Sequence, residues 1–210
     1  LLIMGPPGAG KGTQAKILAE KYNLIHLSTG DILRREIKKK TAIGLEAQSY
    51  MNRGNLVPDN VLLSIMDSTL ISLKDSGIIL DGFPRTIIQA EKLSETLNEM
   101  SLVIDTVVDL VVDADEVINR LAGRSTCQDC GGMFHVQSCP PKVEGVCDNC
   151  GGNLAQRQDD NSETILKRLD VYQESTAPLK QFYKGQGNLK TVTARGSVEE
   201  IFSRVLEMVK

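Results

Sequence analysis

The sequence predicts an α/β fold: a phosphate-loop, parallel five-stranded sheet with helices on both faces, carrying two inserts. Three observations lead there. Five short strand-like runs, at residues 1–4, 24–27, 78–81, 106–112 and 189–194, alternate with segments whose apolar residues recur at helical spacing. A glycine-rich stretch, Gly5-Pro6-Pro7-Gly8-Ala9-Gly10-Lys11-Gly12-Thr13, joins the first run to the first helical segment. Between residues 124 and 161 both periodicities vanish, and glycine, proline and cysteine take over.

The first run, Leu1-Leu2-Ile3-Met4, has the character of a buried strand. Ala15, Leu18, Ala19 and Tyr22 then repeat at i, i+3, i+4, i+7, the apolar stripe of a helix. Strand, glycine-rich turn and helix is the context of a phosphate-binding loop. Gly8 and Gly10 let backbone N–H groups curl round an anion, the helix N-terminus adds partial positive charge, and Lys11 brings a full charge to the outer phosphates. A turn without a ligand leaves the lysine unexplained. A dinucleotide-binding turn is the nearer rival, since Gly8-Ala9-Gly10 opens its pattern and Asp31 lies about where its acid would. Thr13, however, stands where the third glycine belongs. Gly12 follows Lys11, so the loop hydroxyl comes one place late, at Thr13, and is expected on a phosphate rather than on Mg²⁺.

After the run at 24–27, Ser28 or Thr29 caps a helix with Asp31 in its first turn, Ile32, Leu33 and Ile37 facing inward, and Lys38-Lys39-Lys40 at its end. A second helix is expected over 42–53, ended by Gly54, and a third opens at Pro58 and Asp59 with Val61, Leu62, Ile65, Met66 and Thr69 buried. The run at 78–81 ends in Asp81, and Gly82-Phe83-Pro84-Arg85 forms the loop at its carboxyl end before a helix over 86–98. Asp113 with Glu116 resembles a capping box opening a helix through Val117, Ile118 and Leu121 to Gly123. Helical pattern resumes at Glu163 (Ile165, Leu169, Tyr172) and is interrupted near Pro178. Ser197 and Glu200 make a capping box for the last helix, whose apolar face is Val198, Ile201, Phe202, Val205 and Val209. Ligands on such sheets bind at the carboxyl ends of the strands, so the phosphate loop, residues 29–31 and residues 82–85 should share one edge.

A net charge of −3 and the absence of Trp argue against a nucleic-acid groove. No apolar stretch reaches membrane-span length and no signal peptide is visible, so a cytoplasmic location is expected. Cys127-Gln128-Asp129-Cys130 and Cys147-Asp148-Asn149-Cys150 are sixteen residues apart, within the range of tetrahedral zinc sites. Disulfides or four unligated thiols are the alternatives. With no open coordination position, such a zinc is structural, replacing a core that a forty-residue insert cannot build. Cys139 has no partner motif.

These stretches, together with Arg34, Thr86, Gln89, Arg120 to Arg124, Arg157 with Asp159-Asp160, and Arg168, resemble the adenylate kinases nearly end to end, in the form whose lid carries zinc. The resemblance implies a reversible, Mg²⁺-dependent phosphoryl transfer, ATP + AMP = 2 ADP. It implies a core of residues 1–27, 58–123 and 162–210, a helical AMP-binding insert of residues 28–57, and a zinc-binding lid of residues 124–161. Lys11, Arg85, Arg124, Arg157, Arg168 and Asp81 would act at the phosphates, Asp81 by holding water on Mg²⁺. ATP would meet Gly8, Ala9, Gly10, Lys11, Gly12, Thr13, Arg120, Arg124, Met133, Phe134 and Gly196. AMP would lie against Thr29, Arg34, Asn55, Leu56, Val57, Gly82, Phe83, Pro84, Arg85, Gln89, Arg157 and Arg168, with the Gln89 amide offering a donor and an acceptor to adenine. Cys127, Cys130, Cys147 and Cys150 would hold zinc. A monomer is implied; His26 and His135 are given no catalytic role. Within the class, the alternatives are GTP as donor or another nucleoside monophosphate as acceptor; outside it, a non-enzymatic zinc-ribbon module that binds nucleotide.

Overall fold

A computed structural model describes residues 1–73 and 75–209. The chain runs β1 (Leu2–Met4), α1 (Lys11–Tyr22), β2 (Ile25–Ser28), α2 (Thr29–Lys38), α3 (Ala42–Asn52), α4 (Asp59–Ser72), β3 (Ile78–Asp81), α5 (Ile87–Glu99), β4 (Val107–Val111) and α6 (Ala114–Ala122). The cysteine-rich stretch folds as β5 (Arg124–Cys127), β6 (Met133–His135) and β7 (Leu154–Ala155), and the chain closes with α7 (Ser162–Val171), α8 (Leu179–Gly185), β8 (Leu189–Thr193) and α9 (Val198–Met208).

Five strands form the expected parallel sheet, in the order β2-β3-β1-β4-β8. The pleat sends alternate residues to opposite faces. In β1, Leu2 and Met4 join the core made with Leu80, Leu93, Leu179 and Tyr183. Ile3 joins the other, with Leu18, Leu110, Ile201 and Val205. Both faces of the inner strands β3, β1 and β4 are covered, which is why these read as mostly apolar runs, while the edge strand β8 keeps Lys190, Thr191 and Thr193 exposed.

Side-chain caps set several helix starts. Ser28, rather than Thr29, accepts from the Asp31 N–H, and Thr41, Thr86 and Asn161 cap α3, α5 and α7. Ser197 and Glu200 form the expected reciprocal box. Such caps are worth about 1 kcal/mol each. Asp113 differs from expectation: its side chain caps nothing, and Glu116 is turned toward Arg120 instead. The buried stripe of α4 is Leu62, Met66 and Leu70, so Val61, Ile65 and Thr69 sit on its margins. Near Pro178 the helix does not simply break. One π turn, Tyr172–Thr176, carries α7 toward α8.

Helices α2 and α3 pack so closely that a Cβ on Gly44 would collide with the Glu36 carbonyl, and Leu33, Ala47, Val57 and Leu62 form their own small core. The cysteine-rich stretch is a three-stranded antiparallel sheet, β6-β5-β7. Its strands are two to four residues long, too short to show as alternation in the sequence.

Candidate active site

The carboxyl ends of the strands open into one cleft of about 870 Å³. Its floor is the glycine-rich loop. Gly8 and Gly10 take φ of 78° and 93°, in the left-handed region, and Gly10 is the N-cap of α1. The loop amides and the start of α1 therefore share the cleft with Lys11, whose Nζ donates to the Gly5 and Pro6 carbonyls at 2.8 Å each. Gly12 has a steric reason to stand where a hydroxyl residue is usual. A Cβ there would lie 3.2 Å from Asp81 Oδ2 and 3.3 Å from Met133 Cε.

The second wall comes from the ends of β2 and β3. Thr29 donates its hydroxyl to the Gly82 carbonyl at 2.8 Å, and Arg85 Nε donates to the same oxygen at 2.8 Å. Gly82 has φ of 75°, and a Cβ on it would press on both side chains, so only glycine lets them converge there. Among the described residues the Asp81 carboxylate has one side-chain partner, His26, whose Nε2 stands 3.1 Å from Oδ2. Sequence reasoning leaves His26 without a partner because the two lie fifty-five residues apart. The signal is the pairing of β2 with β3, which sets Ser28 beside Asp81 and His26 two residues behind.

The third wall comes from the cysteine-rich stretch and α7. Arg124 makes two bonds to Asp160, at 2.8 and 2.6 Å, and Arg168 pairs with Asp160 at 2.8 Å and Asp159 at 2.9 Å. Arg157 Nε donates to Thr126 Oγ1 at 3.0 Å, and Arg34 pairs with Asp31 at 2.6 Å. Helix α2 meets the cysteine-rich stretch where Lys38 Nζ donates to the Gln128 carbonyl at 2.9 Å.

Six cations (Lys11, Arg34, Arg85, Arg124, Arg157 and Arg168) thus meet four carboxylates (Asp31, Asp81, Asp159 and Asp160), a surplus of positive charge around the cleft. Burial pushes Lys11 down to about 7; Asp81 opposes that, while Arg85, Arg168 and Arg124 add to it. Burial pushes Arg85 down to about 10, with Arg168 adding, and Arg157 down to about 9, with Arg124 and Arg34 adding. Burial raises the Asp31 carboxyl, but Arg34 outweighs it and holds the group below its ordinary value. Such a site answers a polyanion.

Of the residues singled out for the nucleotides, Gly8, Gly10, Lys11, Gly12, Thr13, Arg120, Arg124, Met133, Phe134 and Gly196 line this cleft. So do Thr29, Arg34, Asn55, Leu56, Val57, Asp81, Gly82, Arg85, Arg157 and Arg168. Four others do not. Ala9 lies in the core beneath the loop, and Phe83 is buried beside β3, while Pro84 turns the chain outside the cleft wall. Gln89, expected to offer its amide to a base, is fully buried: its oxygen accepts from Arg85 N–H and its nitrogen donates to Asp59 Oδ1, both at 2.7 Å. Each end thus has one partner, and the amide braces the Arg85 loop from behind. By sequence alone Asp59 reads only as a helix opener.

The Sγ atoms of Cys127, Cys130, Cys147 and Cys150 all lie within 4.8 Å of one another. Tetrahedral zinc–thiolate bonds of about 2.3 Å place sulfurs about 3.8 Å apart, so the four fit such an ion. Backbone N–H groups of Cys130 and Asp129 hold Cys127 down to about 6. The Gly152 N–H favours the Cys150 thiolate too, but Cys130 and Cys127 outweigh it and push Cys150 up to about 12. Four thiolates cannot coexist there without a cation. Cys139 is exposed and outside the group.

The adenylate kinase family model matches residues 3–188. The chain is 50% identical to the adenylate kinase of Carboxydothermus hydrogenoformans over 207 residues, 98% of this chain and 96% of that protein. It is 49% identical to that of Thermodesulfovibrio yellowstonii and 48% to that of Streptomyces coelicolor, each over 212 aligned positions spanning 100% of this chain and 98% of the other.

Proposed function

The chain belongs to the adenylate kinase family, and we propose that its cleft carries out that family's phosphoryl transfer, ATP + AMP = 2 ADP. The observation that carries this reading is the convergence of Lys11, Arg85, Arg124, Arg157 and Arg168 from five separate stretches on one cleft above the glycine-rich loop. An AMP phosphate oxygen attacks the γ-phosphorus of ATP, the bond to the bridging oxygen breaks, and ADP leaves on each side. The protein has little covalent work to do; it must hold the two nucleotides in line and answer charge on the moving group.

In this reading the loop amides and Lys11 hold the tail of the donor. Arg34 and Arg85 hold the AMP phosphate against Thr29, while Arg124, Arg157 and Arg168 close on the transferring group from the lid side. Arginine suits all of these places because its planar fork grips phosphate through two bonds. Mg²⁺ bound with ATP would neutralise phosphate charge, and Asp81, at the end of β3 and facing the loop, is the carboxylate able to hold its water. Contact of Met133 and Phe134 with the cleft supports a lid that excludes water, without which the phosphoryl group would pass to it.

The division into core, AMP insert and lid follows the same reading, as does zinc on the four cysteines. Those thiols fit a reducing, cytoplasmic compartment, and no described helix is long and apolar enough to cross a membrane. We take the enzyme to act as a monomer on free nucleotides.

The test is ADP formation from ATP, AMP and Mg²⁺, with GTP as alternative donor and GMP, CMP and UMP as alternative acceptors. Robust turnover with ATP and AMP is expected, and Lys11→Ala or Arg85→Ala should each lose about 10²–10³-fold in kcat with the fold retained. Near-normal turnover of either variant would contradict these roles.

A further inference from the structure

The departure of Glu116 from its expected capping role points to a different use. From Glu116 and Arg120, one turn apart on α6, Glu116 Oε1 and Arg120 Nε meet at 2.7 Å. On its other side Arg120 donates through Nη2 to the carbonyl of Ala194, just past β8, at 2.8 Å. Two anchors on different elements therefore hold one guanidinium, and a flexible side chain becomes a fixed plane. Both residues line the cleft at its end away from Arg34 and Arg85, together with Gly196, Ser197 and Val198.

An i,i+4 pair on an open helix face contributes little and tolerates exchange. This one differs in having its arginine tied a second time and only one-fifth exposed. A guanidinium plane is a stacking surface for a heteroaromatic ring, and stacking depends on the plane being held. Asp113 makes no side-chain capping bond at the same helix start, so the carboxylate of Glu116 is not needed to close a capping box.

We infer that Glu116 is a positioning residue for the donor nucleotide: it sets the plane of Arg120 against which the base of ATP stacks. This rests on the assignment of the Arg120 end of the cleft to the donor. Losing the bond frees the side chain to leave the stacking position, which weakens donor binding and leaves the acceptor end untouched.

The experiment is steady-state kinetics on the full chain, varying ATP at saturating AMP and then AMP at saturating ATP. It compares wild type, Glu116→Ala, Glu116→Gln, Arg120→Ala and the Glu116→Ala/Arg120→Ala double variant, each with a thermal melt. Glu116→Ala should raise the KM for ATP about threefold to tenfold, the range of one lost hydrogen bond, with the KM for AMP and the melting midpoint held. Glu116→Gln, whose amide oxygen still accepts from Nε, should recover most of the loss, and the double variant should be no worse than Arg120→Ala. If Arg120→Ala raises the KM for ATP and Glu116→Ala does not, the positioning role is overturned while the donor assignment stands. A rise in both KM values together, or with a lowered melt, assigns Glu116 to structure and overturns it also. If Arg120→Ala itself leaves the KM for ATP unchanged, the donor assignment falls and the inference falls with it.

Discussion

Arg124 grips Asp160 through two parallel hydrogen bonds, Nε to Oδ2 at 2.8 Å and Nη2 to Oδ1 at 2.6 Å, and the carboxylate it grips is fully buried. Asp160 also takes Arg168 at 2.8 Å. One carboxylate thus fixes two guanidinium groups, one at the entry to the lid and one on α7, so both face the cleft together.

Asp160→Asn keeps the shape and removes the charge. It leaves two mostly buried cations without their common partner, and breaking a buried pair in this way costs about 3–5 kcal/mol. The variant should melt lower and lose about 100-fold in kcat through misplacement of the two arginines. Activity assays beside calorimetry check both. Wild-type turnover in a folded Asp160→Asn protein would show that the arginines place themselves.

A second buried carboxylate is structural. Asp109, in the interior strand β4, is 2% exposed and pairs with Lys180 Nζ at 2.9 Å, while its Oδ1 has no partner among the described residues. Neither residue lines the cleft. Lys180→Met should cost about 3 kcal/mol, a drop of about 6–12 °C in Tm for a chain of this size. Turnover at 25 °C should hold. Adding Asp109→Asn should recover part of the loss, and a single variant that melts like wild type would mean the carboxylate is not carried as an ion.

Lys11 ties nucleotide binding to pH. In the free cleft burial holds it down to about 7, so above that pH the amine is increasingly neutral. A polyphosphate favours the ammonium and raises the group's pKa. Binding at pH 8 should therefore take up protons, and affinity should weaken as pH rises from about 7 toward 9. Calorimetry of ADP binding in buffers of different ionisation enthalpy measures the uptake directly, and Lys11→Met should abolish most of it. Zero uptake at pH 8 in the wild type would mean Lys11 is already fully charged in the free site.

The features legible in the sequence share a physical form. The three inner strands β3, β1 and β4 are covered on both faces, so each reads as a mostly apolar run without knowledge of its neighbours, whereas the edge strand β8 keeps Lys190, Thr191 and Thr193 exposed. The glycine-rich loop and the two cysteine pairs are local spacings that any fold must respect. The rest depends on distant segments meeting. His26 finds Asp81 because β2 and β3 are adjacent and in register, and Gln89 is taken by Asp59 and the Arg85 N–H rather than left facing the cleft. Asp159 and Asp160 stood out as an acidic pair after Arg157, but their partners on β5 and α7 did not. Glu116 shows the limit of a local rule: three residues past Asp113 it fits a capping box, and four residues before Arg120 it fits an ion pair. Tertiary anchoring of Arg120 at Ala194 favours the second.

The cysteine-rich stretch, residues 124–161, is where the fold has least to hold it. Its buried apolar cluster is Cys127, Phe134 and Cys147, with Leu154 packed against it; two of the three buried members are sulfurs of the four-cysteine group. At about 25 cal/mol per Å² so few side chains cannot offset the chain entropy of about forty residues, on the order of 1.5 kcal/mol each. A metal on the four thiolates would supply the missing free energy, about 10–16 kcal/mol in small zinc modules. Elemental analysis should find one zinc per chain. Of the five cysteines, Cys139 should react with a thiol reagent at once and the other four only when zinc is released. A strong chelator should speed hydrogen exchange over residues 124–161 well before the sheet, and should lower kcat, since Arg124 and Arg157 are carried on that stretch. Cys147→Ala should reproduce the chelated state at neutral pH without chelator. A protein that contains no metal, with lid exchange indifferent to chelation, would mean that packing against the core alone holds the three short strands.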